Sequence, residues 1–348
     1  MIFFGDTGFI YIVKDPHPEL QQWRVRPNLD TLEITFLGDK VPYVDIYKID
    51  SWQHGAALYQ DWVREQGWWR SAKRFPRNYM QSGTQNVWWA VENAFNIMNE
   101  RIPNAGVWMT QYRTDPFGVG FPDHTPKDGF MDMWQRIEAQ GAGVYPYLNG
   151  VSWDVNRDDY DPSRMLMLKN GDISEHSPAP HLKNMCSGLE ANKQMLVDIR
   201  ESFGTKGVYL DAIGQVPEVC YATNHDHEPG DTRQIIDNTN DLLSRMTGEV
   251  FSETFSEQTL GLSNAYLSLS RTGIGFRNDN IPLLPTIFGE IADYMGWQFG
   301  DTTSVEQMYE IYSKARGYAL PYPTVNNAAD LALHENELSV TELLHKVV

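Results

Sequence analysis

The chain is short of cysteine and of positive charge, and it has no long apolar run. Only Cys186 and Cys220 occur in 348 residues, too few for a disulfide framework or for a zinc site built from CxxC pairs. Lysine and arginine number 28 against 46 aspartates and glutamates, a formal net charge of −18. Such a field repels phosphate backbones and anionic lipid, which argues against nucleic acid and membrane as partners. No apolar stretch reaches the roughly 18–20 residues that cross a bilayer. Neither GxGxxG nor a GxxxxGK phosphate loop follows any candidate strand, so no nucleotide or other cofactor is expected. The opening "MIFFGDTGFIYIVKDP" lacks a basic leader segment and is interrupted by Asp6 and Lys14. It reads as a strand pair, which predicts a cytoplasmic protein if the chain is whole and a secreted one if an upstream segment has been removed.

What is present is ample core material: 41% hydrophobic residues, with 11 Trp, 17 Tyr and 15 Phe. Residues 1–50 alternate apolar and polar between turn signals, as in "GFIYIV", "TLEITFL" and "VPYVDIYKI", and predict a short N-terminal antiparallel β-region. Residues 51–83 read as a linking helix and loop, the helix lying in 52–69. From 84 to 325, β-rich runs alternate with amphipathic helices. Strands are expected at "QNVWWAV", "AGVWMTQY", "GAGVYPYLNG", "GVYLD", "GEVFSE", "NAYLSLS", "IPLLPTI" and "YALPYPTV", with clear helices at 129–140, 189–203 and 232–246. Repeated strand–helix units of this number predict an α/β fold, a (β/α)8 TIM barrel. A C-terminal segment with a helix, 326–348, would follow. Two connections are unusually long, 152–188 after the third strand and 212–231 after the fourth, and both leave the strand ends where barrels build active sites.

Asp211 ends the fourth strand, "GVYLD". A helix N-cap would also favour Asp, but Gly214 and Pro217 follow and no helical pattern resumes until about 232. The next strand leads to Glu253, with Glu257 four residues later. Two carboxylates on adjacent strands are what glycoside cleavage requires, one at the anomeric carbon and one giving a proton to the leaving oxygen. A gap of about 5 Å would mean retention of configuration, and about 6.5–9.5 Å inversion. Asn149 and Asp154 on the segment after the third strand fit sugar-hydroxyl ligands, although Asp154 equally suits a turn cap, and Asp115 in "DPFG" suits an ordinary turn. His225 and His227 form an HxH pair that could hold a metal; substrate hydrogen bonding or loop structure is the preferred reading. Among the aromatics on or after strands (Trp88, Trp89, Trp108, Tyr112, Tyr145, Tyr147 and Trp153), some would face a sugar, with Trp153 the first choice of platform and Tyr112 a further contact.

The stretches "YQDWVREQGWW", "FPDHTPKDGFMDMWQRIEAQGAGVYPYLNGVSWD", "MCSGLEANKQML", "GVYLDAIGQVPEVCYATNHDHEPGD", "FSETFSE" and "IPLLPTIFGEIADYMGW" together resemble a family of uncharacterised glycoside-hydrolase-like (β/α)8 proteins. That family is distantly similar to the endo-alpha-N-acetylgalactosaminidase and alpha-amylase groups. The resemblance covers about residues 50 to 325. It implies Asp211 as nucleophile and Glu253 as acid/base, with Glu257 as rival, retention of configuration, and an α-linked glycoside containing galactose or N-acetylgalactosamine. Relatives of this kind usually carry β-sandwich domains on both sides of the barrel, so substrate contacts from such domains are an open expectation. A non-catalytic carbohydrate-binding barrel, or a metal-dependent hydrolase using His225 and His227, would be the alternatives. The composition leaves the oligomeric state open.

Overall fold

The computed structural model describes residues 2–4, 7–13, 22–27, 32–37, 44–71, 73, 76–77, 79–83, 86–176, 179–213, 219–253, 259–267, 287–291, 293–295, 319–320 and 339. In the N-terminal region β1 (Ile2–Phe4), β2 (Thr7–Val13), β3 (Gln22–Pro27), β4 (Leu32–Leu37) and β5 (Val44–Ile49) form two antiparallel sheets, β1-β2-β5 and β3-β4. Helix α1 (Trp52–Glu65) starts where the Ser51 side chain accepts a hydrogen bond from the His54 amide at 3.1 Å. Its buried Ala56, Trp62 and Val63 join Ile12 and Ile49 of the small sheet to Leu260, Tyr266 and Phe288 of the main body. One apolar face therefore binds the two parts together.

The main body follows as β6 (Tyr79–Gly83), α2 (Trp88–Arg101), β7 (Ala105–Met109), α3 (Phe130–Ala139) and β8 (Gly143–Asn149). After the hairpin strands β9 (Ser152–Asp154) and β10 (Leu182–Asn184) come α4 (Glu190–Ser202), β11 (Gly207–Asp211), α5 (Thr232–Arg245) and β12 (Glu249–Ser252). The last strands are β13 (Ala265–Leu267), β14 (Asp293–Met295) and β15 (Ala319–Leu320). One eight-stranded sheet runs β6-β7-β8-β11-β12-β13-β14-β15, every recorded pairing parallel and in chain order. Among the described residues β6 and β15 are its two edges. The protein is thus a mixed α/β fold on a curled parallel sheet.

Two strand expectations need correction. "QNVWWAV" does not supply the first strand; from Trp88 it is the start of α2, and the first strand is Tyr79–Gly83. The short aromatic and β-branched run loses to a longer period, because Ala90, Val91, Ala94, Phe95 and Met98 recur at helical spacing and are all buried. The seventh strand is Asp293–Met295, whereas 281–286 of "IPLLPTI" lie outside the described residues. The helix expected in 326–348 also lies outside them, apart from Ser339. The helices expected at 129–140, 189–203 and 232–246 are α3, α4 and α5.

Side chains alternate across a strand, so every second residue lines one face. On the inner face β8 presents Tyr145, Tyr147 and Asn149, β11 presents Tyr209 and Asp211, and β12 presents Glu249 and Phe251, with Glu253 just beyond its end. Trp108 of β7 meets Tyr209 at 4.5 Å between ring centroids and Phe251 at 6.2 Å, across intervening strands. Neighbouring strands lie about 4.8 Å apart, so such contacts require the sheet to curl strongly toward this face. At the N-terminal end of the strands Tyr145 fills the floor. Cβ atoms placed on Gly207 or Gly143 would come within 2.3 Å and 2.8 Å of its ring and hydroxyl, which explains the glycines that open β8 and β11. There Arg77 bonds both Glu249 oxygens, at 2.6 and 3.2 Å, and Tyr145 also donates to Glu249. The floor is an ion pair under an aromatic plug.

Candidate active site

At the C-terminal ends of the strands, three polar residues replace the aromatic layer: Asn149, Asp211 and Glu253. Asp211 stands in register with Asn149 on the neighbouring strand. Its Oδ2 accepts a hydrogen bond from the Tyr147 hydroxyl and a longer one, 3.4 Å, from the Asn149 amide. Asn149 is itself held, because its Oδ1 accepts from the Val151 and Ser152 amides at 3.0 and 2.8 Å and its Nδ2 donates to the Tyr147 hydroxyl at 3.2 Å. Burial, and after it the charge of Asp211, push the Tyr147 phenol well above its ordinary range, so it remains a donor.

Glu253 follows β12 directly and is buried; its amide donates to the Leu210 carbonyl at 3.0 Å, continuing the ladder to β11. Its Oε2 accepts from the Ala212 amide at 2.9 Å. Ala212 has φ 61°, a left-handed conformation that costs a non-glycine residue about 1–2 kcal/mol. That turn directs its N–H at Glu253, so the residue after one carboxylate binds the other. The acids of two adjacent strands are coupled through one backbone amide.

The other expected site residues are placed as follows. Tyr112 is fully buried and donates to the Tyr147 carbonyl at 2.7 Å, beside His124 Nδ1 at 3.1 Å; it supports the strand from behind. Burial first, and Arg113 second, bring His124 down to about 3, so it is a neutral core imidazole. Asp154 is buried and occupied by its own loops: it accepts from the Gly120 amide at 2.8 Å and from the amide and side chain of Asn156 at 2.9 Å each. Burial opposes its charge, but these hydrogen bonds outweigh it and hold the carboxyl below its usual range. Trp153 is buried, edge-on to Tyr160 and with the Arg164 guanidinium 4.7 Å over its ring. Trp88 and Trp89 belong to α2, and Trp89 is exposed. His225 and His227 face Cys186 and Cys220 rather than a carboxylate. Glu257 lies outside the described residues.

One aromatic was missed. Phe117, 54% exposed, lies 5.3 Å between ring centroids from Tyr147, the residue whose hydroxyl bonds Asp211. It comes from "DPFG", whose turn signal concealed that a large apolar ring is offered to solvent there. Behind the strand ends, a cavity of about 270 Å³ is lined by Gly150, Val151, Ala212, Ile213, Lys193 and Leu242, among others. Neither Asp211 nor Glu253 lines it.

Comparison with known proteins gives a consistent class. A Bacteroides thetaiotaomicron protein named provisionally as a glycoside hydrolase is 26% identical over 218 residues, covering 56% of this chain and 32% of its own length. The alpha-N-acetylgalactosaminidase of Bifidobacterium bifidum superposes with a TM-score of 0.77 at 13% identity, over 99% of this chain and 66% of that one. The alpha-galactosidase of Thermus thermophilus, solved with stachyose, superposes with a TM-score of 0.61 at 12% identity, over 97% of this chain and 77% of that one. At such identities the structural likeness concerns the fold. The chain spans about a third of the sequence relative, and it is glycoside-hydrolase-like. It belongs to the family described as Domain of unknown function (DUF6259), whose model matches residues 41–299.

Proposed function

We propose that the sheet closes into a (β/α)8 barrel and that the protein is a retaining glycosidase of α-linked glycosides, with galactose or N-acetylgalactosamine at the bond that breaks. Asp211 is the nucleophile and Glu253 the general acid/base. The observation that carries this reading is the coupled pair itself: two carboxylates at the ends of adjacent parallel strands, one oriented by Tyr147 and Asn149, the other by the Ala212 amide.

The two environments suit different tasks. Among the described residues the donors to the Asp211 carboxylate are two side chains that orient one oxygen, which suits a nucleophile aimed at an anomeric carbon. Glu253 is the more buried of the two, and a protonated carboxyl can accept the Ala212 amide through one oxygen while its O–H faces the leaving group. After the glycosyl-enzyme forms, the same group takes a proton from water. Phe117 offers a ring for the C–H face of the sugar, whereas Trp153 and Asp154 organise the loop that frames it.

The test is hydrolysis of a panel of aryl α- and β-glycosides and mucin-type glycans. Cleavage of α-galactosides or α-N-acetylgalactosaminides, with the α-anomer as first product by NMR and no turnover by Asp211→Asn, is the expected result. Full activity in Asp211→Asn would remove that residue from the mechanism. Silence across the panel, with sugar binding retained, would favour a binding module.

A further inference from the structure

The two long loops that leave β8 and β11 meet at a cluster with no part in the chemistry above. Cys186 comes from the first loop, just before α4; Cys220, His225 and His227 come from the second. One ligand atom from each of these four residues lies within 4.8 Å of all the others. Cys186 Sγ is 3.2 Å from His227 Nε2, and Cys220 Sγ is 3.4 Å from His225 Nδ1. A tetrahedral zinc with Zn–S of about 2.3 Å and Zn–N of about 2.0–2.1 Å places its ligand atoms roughly 3.3–3.8 Å apart, so the cluster needs only a small contraction.

The imidazoles are also set in the right tautomers. His225 Nε2 lies 2.8 Å from the Ser163 carbonyl and His227 Nδ1 lies 3.1 Å from the Glu228 carbonyl. A carbonyl only accepts, so each of these nitrogens carries its proton, and the lone pair of the opposite nitrogen points at a sulfur. This is the outer arrangement that metal-bound histidines have. The Met167 amide points at Cys220 Sγ at 3.5 Å. Leu166 and Ala222, with Met167 and Leu189 against them, close an apolar shell around both cysteines. Gly188 leaves room for a ring: a Cβ there would come within 2.6 Å of His227 Cδ2.

We infer that Cys186, Cys220, His225 and His227 bind one Zn²⁺ as a structural Cys2His2 site that joins the two loops framing the end of β11. Two soft sulfurs and two imidazoles in a tetrahedral set select zinc over hard oxygen-seeking cations. Four protein ligands leave no open position, so the ion holds structure and activates no water. Its place is architectural: it ties 152–188 to 212–231, the segment that begins at Ala212 beside Asp211.

The test uses the full chain purified without chelators or a metal-affinity step. Elemental analysis is expected to find about one zinc per chain. Exchange with Co²⁺ is expected to give the visible bands of tetrahedral cobalt together with thiolate-to-cobalt charge transfer. Cys220→Ser and His227→Asn should each lose the zinc and the cobalt bands, and a chelator should lower the Tm of the native protein until Zn²⁺ restores it. If a variant fails to fold, the native metal content and the cobalt titration still decide. Metal-free protein that takes up no Co²⁺, or a Cys186–Cys220 disulfide seen by mass spectrometry in the purified protein, would overturn the assignment.

Discussion

Tyr147 stands level with Tyr209 on the neighbouring strand and reaches one pleat further to donate its hydroxyl hydrogen to Oδ2 of Asp211. The contact is possible because both residues occupy inward positions of adjacent parallel strands in register. Tyr147→Phe removes a hydrogen bond to a charged group, of a kind that contributes about 1.5–3 kcal/mol, while keeping the ring and its packing. The expected result is a kcat/KM lowered roughly 10- to 100-fold with Tm nearly unchanged. An unaltered kcat/KM would show that Asp211 needs no such orientation.

Phe117 gives a second, separable prediction. Its ring touches Tyr147 but makes no hydrogen bond to either carboxylate, so Phe117→Ala should weaken sugar binding without altering the chemical step. Loss of an aromatic contact of about 1–1.5 kcal/mol raises KM roughly 5- to 10-fold and leaves kcat within about twofold. Steady-state kinetics on one α-glycoside, compared with Trp153→Ala, tests the choice of platform. Trp153→Ala should mainly lower stability, because that ring is buried between Tyr160 and Arg164.

The position of Asp211 and Glu253 at the ends of adjacent strands was legible in the sequence, and the reason is periodicity. Strands that end on Asp211 and before Glu253 are short β-rich runs bounded by glycine and separated by a clear helix, and their ordinal places survive even though the first strand was misplaced. The run Val87–Val91 is as apolar and aromatic as a strand, but Val91, Ala94, Phe95 and Met98 extend it at helical spacing, and the longer period decides. What could not be read was side-chain direction in loops. Trp153 and Asp154 have the composition of a sugar site, yet their hydrogen bonds and packing point into the loop; Phe117 looked like turn filler and faces outward. The cluster of Cys186, Cys220, His225 and His227 was legible only in part. The HxH pair is visible as a possible metal site, but Cys186 comes from a different loop, so no local spacing joins all four residues.

The floor of the sheet predicts a stability effect away from the chemistry. Arg77 is almost wholly buried and pairs with Glu249, which also accepts from the Tyr145 hydroxyl. Removing one member of a buried pair leaves the other charge without its partner, so Arg77→Met should destabilise by about 3 kcal/mol. The double change Arg77→Met with Glu249→Gln should recover part of that loss, because no unpaired charge remains. Urea denaturation of the two single variants and the double variant gives the coupling; additive losses would mean that the pair does not interact.

His124 makes stability depend on acidity in a defined window. In the folded chain burial, and then the neighbouring Arg113, hold it down to about 3 against an ordinary 6.5. Between those values the unfolded chain binds a proton that the folded chain refuses, so stability falls as the pH drops from about 6.5 toward about 3. Above that window both states are neutral at this residue and it contributes no pH dependence. Inside the window the slope from this residue alone is about 1.4 kcal/mol per pH unit. His124→Gln keeps a polar side chain beside the Tyr112 hydroxyl but does not titrate. Urea unfolding at pH 7 and pH 4.5 should therefore show the native protein losing about 2–3 kcal/mol more than the variant over that interval. Equal losses would mean that His124 accepts its proton within the folded core.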